Sequence, residues 1–359
     1  MKTSTLILIA ALPMLPLRLP AAAPSGHVIG WGSNISGEAT GIPTPDTYYS
    51  EGIVKIAGLA LSNIVAVSAD NGHSLALTSE GTVFGWGDNF AGEATGSRTA
   101  YPYRASGQVQ ISGRTLSNVV AISAGEHLSL VLKSDGTVVN WGEGPGENNW
   151  GVLKVPPGVS NIVAIASGIR SSLAVNKRGG VVQWGVGGDL EPAPSGISNI
   201  IAVATGGFNR ACQLGLNRDG TVVAWEAAVL EPVPAEATNV VSIAAGETHR
   251  LALRSDGTVV GWGGNQFGEA TGVPTTSFPN SSSGVVCISG QVIRNVVAIA
   301  AGNGYSLALK SDGTVSAWGR FCNKPAGAPG GLSGVVAIAA GQNFCLAITT
   351  NAEPFALKK

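Results

Sequence analysis

Apolar and polar positions recur along this chain in short blocks. The run NVVAIAAG at 295–302 is followed by YSLALK at 305–310 and, past Ser311-Asp312-Gly313, by TVSAWG at 314–319. Such β-branched or alternating apolar runs, bounded by glycine, predict short strands. The Asp-Gly dipeptide recurs at Asp135, Asp219 and Asp256. Its glycine supplies the positive φ of a tight hairpin, so each block predicts three antiparallel strands. Both faces of these strands are largely apolar, so each sheet must be covered on both sides.

The block is copied. Seven strand-ending tryptophans stand at Trp31, Trp86, Trp141, Trp184, Trp225, Trp262 and Trp318, and a second ladder begins at Asn63, Asn118, Asn161, Asn199, Asn239, Asn295 and Gly334. From each Asn to the next Trp is 23 residues in five of six cases, and 26 from Asn199 to Trp225. Fixed spacing within a unit and variable connections between units mark a stacked repeat. The last unit, GVVAIAAGQNFCLAIT, ends before any Trp, whereas GHVIGWG at 26–32 is a third strand with nothing before it. Joined, the two halves complete a seventh sheet and leave no unpaired edge. The expected fold is all-β: a seven-bladed β-propeller over 24–350, closed by pairing of the N-terminal and C-terminal strands.

Connections are of two kinds. After Trp31, Trp86 and Trp262 the next ladder residue comes in 32, 32 and 33 residues; after Trp141, Trp184, Trp225 and Trp318 it comes in 20, 15, 14 and 16. Each long connection holds one more alternating run, at Gly52, Gly107 and Gly284. These runs predict an outer fourth strand there and three-stranded units elsewhere. Strand direction puts all the variable connections on one rim and the Asp-Gly hairpins on the other, so the variable rim is the expected binding face.

Glycine, 51 of 359 residues, is about twice its usual share, and charged residues, at 12%, about half theirs. A net charge of −1 gives no field to attract nucleic acid or anionic lipid. Residues 1–23 have the layout of a secretory signal peptide: Lys2, an apolar run at 6–17 broken by Pro13 and Pro16, then Ala21-Ala22-Ala23. Location outside the cytoplasm, secreted or periplasmic, is therefore expected, with no membrane insertion after cleavage and a tail at 351–359. The four cysteines, Cys212, Cys287, Cys322 and Cys345, show no metal spacing. They read as small buried hydrophobes with at most one bridge, Cys287 to Cys322, which share a repeat.

The string G-T-V-x-x-W-G-x-N-x-x-G, followed by V-V-A-I-A-A-G-x-x-H/Y-S-L-A-L, resembles the repeat of the regulator of chromosome condensation family across nearly all of 27–350. The short units, with phrases such as EPVPAEATNVVSIAAG, are similar to its secreted bacterial branch that includes beta-lactamase inhibitory protein II. That resemblance implies a seven-bladed propeller whose business is binding another protein. The eukaryotic namesake is a nuclear guanine-nucleotide exchange factor acting on DNA-bound histones; the leader, the shortened units and the lack of a basic tail set this sequence apart from it.

No nucleophile elbow, phosphate loop or zinc signature is present, and no catalytic residue, cofactor or metal is expected. His73 and His249 share a slot that holds Leu128, Ser171, Tyr305 and Phe344 in other units, with His127 one place off, so a packing role is expected. Glu38, Glu93 and Glu269 recur in GEATG strings, which duplication alone explains and which a ring would keep apart. The repeat tryptophans are read as packing between units, with Gly261 and Ala317 allowing close approach. Loop aromatics Trp150, Tyr101, Tyr103, Tyr48, Tyr49, Phe90, Phe267 and Phe278, with turn residues Glu126, Arg170, Arg210 and Glu247, are the candidate contacts for a protein or glycan partner. The leading expectation is a monomeric, secreted, non-enzymatic binding module. The alternatives are a lyase or hydrolase using carboxylates or histidines at the ring's centre, and an exchange factor for a small GTPase.

Overall fold

The structure, a computed structural model, describes residues 25–44, 49–142, 155–168, 171–185, 193–194, 196–206, 212–226, 232–321, 324–325 and 327–351. All regular elements among them are strands. Among the described residues no helix is long and apolar enough to cross a membrane.

Each unit is an antiparallel meander of inner, middle and third strands; in one it runs Ile64–Ala69, His73–Thr78, Val83–Asp88. Seven sheets of three or four strands form among the described residues, beside three two-stranded hairpins. In one of the seven, His27–Gly32 pairs with Phe344–Thr349, Trp31 opposite Cys345, and Val335–Ala340 lies on the far side. The two ends of the chain thus share one sheet.

The ladder asparagines have a backbone reason. Asn63, Asn118, Asn161, Asn199, Asn239 and Asn295 all adopt φ between 53° and 66°, and Gly334 adopts 64°. Left-handed backbone is costly for most L-residues but tolerated by Asn and Gly, so these two types alone fill the position. The turn aims the next N–H back at the preceding hairpin. Val119 donates to the Gly81 carbonyl, Ile162 to Gly136, Ile200 to Gly179, Val240 to Gly220, Val296 to Gly257 and Val335 to Gly313, at 2.9–3.2 Å. Ile64 donates to Gly26 at 3.2 Å in the same way, tying the first inner strand to the N-terminal strand.

The core is divided among the faces between neighbouring sheets. Seven buried clusters each contain one repeat tryptophan, together with apolar residues of that tryptophan's own sheet and of the preceding one. The cluster around Trp86, for example, joins Ile64 and Ala76 to Val28, Phe344 and Ile348 of the sheet that unites the chain ends.

The sheets are of two kinds, with one difference from the pattern expected of the sequence. Fourth strands are present at Ser50–Ile53, Arg104–Gln108 and Ser281–Val285. The alternating runs do not continue along them, however. At Val54, Val109 and Val286 the chain leaves the sheet edge, the valine is fully buried, and its N–H donates at 2.8 Å to the carbonyl of Val28, Val83 or Val259. The second half of each run becomes a separate hairpin, turning at Ala57-Gly58, Ser112-Gly113 or Ser289-Gly290 with both residues at positive φ. That is the two-residue turn that suits strand twist. The sheet of Trp318 also gains a short fourth strand, Lys324–Pro325, where three strands were expected. Cys287 sits in one of the small hairpins as a free thiol, which removes the expected bridge to Cys322; Cys322 itself lies outside the described residues.

Candidate functional site

The three long connections begin with the same constructed loop. Asn34, Asn89 and Asn265, each fully buried, hold it from inside. The Asn89 side-chain oxygen accepts the N–H groups of Ala94 and Thr95 at 2.9 and 3.1 Å, and its amide donates to the Ser97 carbonyl at 2.7 Å. Asn34 and Asn265 repeat this with Ala39 and Thr40, and with Ala270 and Thr271. The G-x-N of the repeat string carried the signal, but its side-chain role was not legible in the spacing.

The glutamates of the GEATG strings are buried staples of that loop. Glu38 accepts from Ser33 Oγ and the Ser36 N–H, Glu93 from the Ala91 N–H, and Glu269 from the Phe267 N–H, at 2.6–2.7 Å. Their backbone carbonyls reach the next sheet. Glu38 O accepts from Trp86 Nε1 and Ser74 Oγ, Glu93 O from Trp141 and Ser129, and Glu269 O from Trp318 and Ser306, at 2.7–2.9 Å. The loop therefore clamps the neighbouring tryptophan. Where the preceding sheet has no such loop, Trp225 turns to Gln183 Oε1 at 3.0 Å, and the indoles of Trp31, Trp184 and Trp262 have no acceptor among the described residues. Gly261 permits close approach as expected, its missing Cβ leaving room for the Ala270 carbonyl of its own loop.

His73 and His249 are buried links between sheets. Their Nε2 atoms meet Ser129 Oγ at 2.8 Å and Ser306 Oγ at 2.7 Å. Each serine spends its proton on a glutamate carbonyl, so each histidine donates from Nε2 and stays neutral; Nδ1 is buried without a partner. Burial holds the pKa down at about 4 for His73 and about 3 for His249. His127 is half exposed and lies 3.5 Å from Glu93, which raises its pKa. Burial is the largest influence on Glu93 and opposes its ionisation, but the bond from His127, the neighbouring histidines and a backbone bond together outweigh it and lower its pKa. Among the described residues no cluster suited to a metal ion forms.

The candidate contacts divide. Tyr101 is 83% exposed and Phe278 94%, while Tyr49, Phe90 and Tyr103 are 38–44% exposed. Tyr103 packs edge-on against both Phe90 and Tyr101, at centroid distances of 5.0 and 5.7 Å. Tyr49 donates to Glu51 at 3.1 Å. Phe267 is half-buried beneath the Arg320 guanidinium, 4.9 Å from the ring centre. Glu126 and Glu247 are partly exposed at their turns, and burial followed by the charge of Glu126 raises the pKa of Glu247. Trp150, Tyr48, Arg170 and Arg210 lie outside the described residues.

Residues 64–93, 240–269 and 296–323 match the regulator of chromosome condensation (RCC1) repeat. Three of its units thus match that repeat. Among curated relatives, the chain is 31% identical over 124 residues to the human probable E3 ubiquitin-protein ligase HERC6, covering 34% of this chain and 12% of that protein. It is 34% identical over 92 residues to protein pim1 of Schizosaccharomyces pombe, covering 23% of this chain and 16% of pim1. It thus spans only a small part of either relative. Prp20p from Saccharomyces cerevisiae, whose structure was described together with its binding to Gsp1p and histones, superposes with a TM-score of 0.69 at 19% identity over 93% of this chain and 94% of that one. Human WBSCR16 superposes at 0.65, with 19% identity, over 90% and 100%. At these identities the likeness concerns the fold: an all-β, RCC1-like propeller.

Proposed function

We propose that the protein is a seven-bladed ring, closed through its chain ends, that acts outside the cytoplasm as a monomeric, non-enzymatic platform for a protein partner. Closure is supported by the strand pairing of 27–32 with 344–349 and by the seventh of the equivalent Asn-turn bonds, from Ile64 to Gly26. The leader pattern of residues 1–23 supports export.

The observation that carries the binding reading is the exposure of Tyr101, Tyr103 and Phe90 on a loop locked by the buried Asn89 and Glu93. Large aromatics held in water by a rigid scaffold are the composition of an interface, and little entropy is lost in ordering them. Catalysis by the repeated glutamates is disfavoured: Glu38, Glu93 and Glu269 are buried in separate sheets, with their carboxylates bonded to their own turns. The short units, similar to those of the bacterial inhibitor branch, support a protein partner of the kind that branch binds. The test is capture of a partner from the native secretome with the mature chain, followed by titration of variants. Tyr101→Ala and Tyr103→Ala should each weaken binding by about 1–3 kcal/mol with the ring still folded. Unchanged affinity in both removes the assignment.

A further inference from the structure

This inference rests on the protein-binding reading and names the partner's chemistry. At the seventh position of the inner-strand run the chain has glycine at 125, 168, 206, 246, 302 and 341, but aspartate at 70. Turns of successive sheets nearly touch there. A Cβ on Gly125 would lie 2.5 Å from the Gly168 carbonyl, on Gly246 2.5 Å from that of Gly302, on Gly302 2.7 Å from that of Gly341, and on Gly341 2.9 Å from that of Asp70. Asp70 thus brings a carboxyl to a collar where the six equivalent positions have no side chain. Burial is the main cause that raises its pKa to about 7, and Glu126 and Glu247 raise it further from other sheets, while Asn71 and His127 act the other way. Glu247 also has a buried carboxylate oxygen without a partner.

Outward from the collar, the same turn abuts an aromatic surface. Asp88 donates its N–H to the Gly72 carbonyl at 2.8 Å, and its Cβ is 3.2 Å from where a Gly72 Cβ would stand. The next N–H, that of Asn89, donates to the Tyr103 carbonyl at 2.7 Å, and Tyr103 carries Phe90 and Tyr101 on its ring. Arg104 lies across the strand from Asp88, and Arg98 is in the same loop. The stripe therefore runs from carboxyls at the collar to exposed rings at the edge.

We propose that this stripe docks a basic segment of a protein partner, with a lysine or arginine entering over Asp70, Glu126 and Glu247 while Tyr101, Tyr103 and Phe90 take the segment's stems and further cations on their faces. A cation at the collar relieves repulsion among like charges, whereas an acidic segment adds to it. Aromatic faces attract cations as well, and this rim already holds one such pair, Arg320 over Phe267.

The test uses the intact chain and a fluorescein-labelled hexalysine amide, with its fully Nε-acetylated counterpart as control, followed by fluorescence anisotropy. Hexalysine should bind and the acetylated peptide should not. Asp70→Gly, which installs the residue the other sheets carry, and Tyr101→Ala should each weaken hexalysine binding by about fivefold or more. Glu247→Gln supplies a third variant should Asp70→Gly unfold. Equal binding of the acetylated peptide, or wild-type affinity in all folded variants, overturns the proposal. If hexalysine fails to bind while partner capture still depends on Tyr101 and Tyr103, the cationic docking falls and the rim reading stands.

Discussion

The sheets of Trp31, Trp86 and Trp262 and those of Trp141, Trp184 and Trp225 share the same inner meander yet bury it differently. In the first group a fourth strand covers the third, and Val259–Gly263 is buried throughout; in the second, Val138–Asn140 and Val181–Gln183 stay partly exposed beside a buried tryptophan. Each sheet of the first group also sends an Asn-Glu loop onto the next tryptophan, and those of the second send none among the described residues. In chain order the Trp318 sheet stands between the Trp262 sheet and the sheet that joins the termini, which carries Trp31. The lesson is a division of labour. One repeat serves packing everywhere, and only where extra chain is present does it build a hydrogen-bonded rim able to hold aromatics in water.

Removing the loop's organiser should break that contrast most strongly. Asn89→Ala strands the buried N–H of Ala94, the half-buried N–H of Thr95 and the Ser97 carbonyl, and should cost about 3 kcal/mol in urea unfolding. A cost below about 1 kcal/mol would mean the loop does not depend on this side chain.

The histidines sharpen the contrast next. A histidine buried neutral contributes stability in full above the unfolded pKa of 6.5 and loses it as pH falls; for His73 the loss runs from 6.5 down to about 4. At about 1.4 kcal/mol per pH unit this approaches about 3 kcal/mol. Asp70 acts in the opposite sense, since its raised pKa favours the fold as protons are added below about 7. Comparison with His73→Leu, the residue the next sheet carries at Leu128, isolates the histidine. The wild type's advantage over this variant should shrink between pH 7 and pH 4. A constant difference contradicts the neutral, buried assignment.

A smaller effect separates the tryptophans. Trp86→Phe loses the bond to the Glu38 carbonyl, whereas Trp184→Phe loses no indole bond to a described residue, so the first should cost about 1 kcal/mol more in the same unfolding measurement. Equal costs would make the clamp energetically idle.

Much of this was legible in the sequence. The Asn-to-Trp spacing and Asp-Gly hairpins gave strand order, and the split between GVVAIAAGQNFCLAIT and GHVIGWG pointed to the pairing of the ends. The left-handed turn at each ladder Asn is not legible in the spacing, which carries no dihedral, although Gly334 in the same slot hints at it. Alternation continues through Val109 and predicts one strand at Gly107, whereas the Ser112-Gly113 turn divides the second half of the run into its own hairpin. Asp70 is illegible for a related reason. A repeat pattern carries what recurs, and Asp70 departs from the glycine that the six equivalent positions share. The buried role of Asn89 depends on loop geometry that only the folded chain supplies.

The central claim is that the two ends of the chain complete one sheet of the ring. Amide hydrogen exchange tests it directly. The amides of Ile29, Trp31, Cys345 and Ala347 should exchange as slowly as those of Leu75 and Leu77 in the middle of an uninterrupted sheet. Fast exchange at 27–32 with slow exchange at 73–78 would contradict the account.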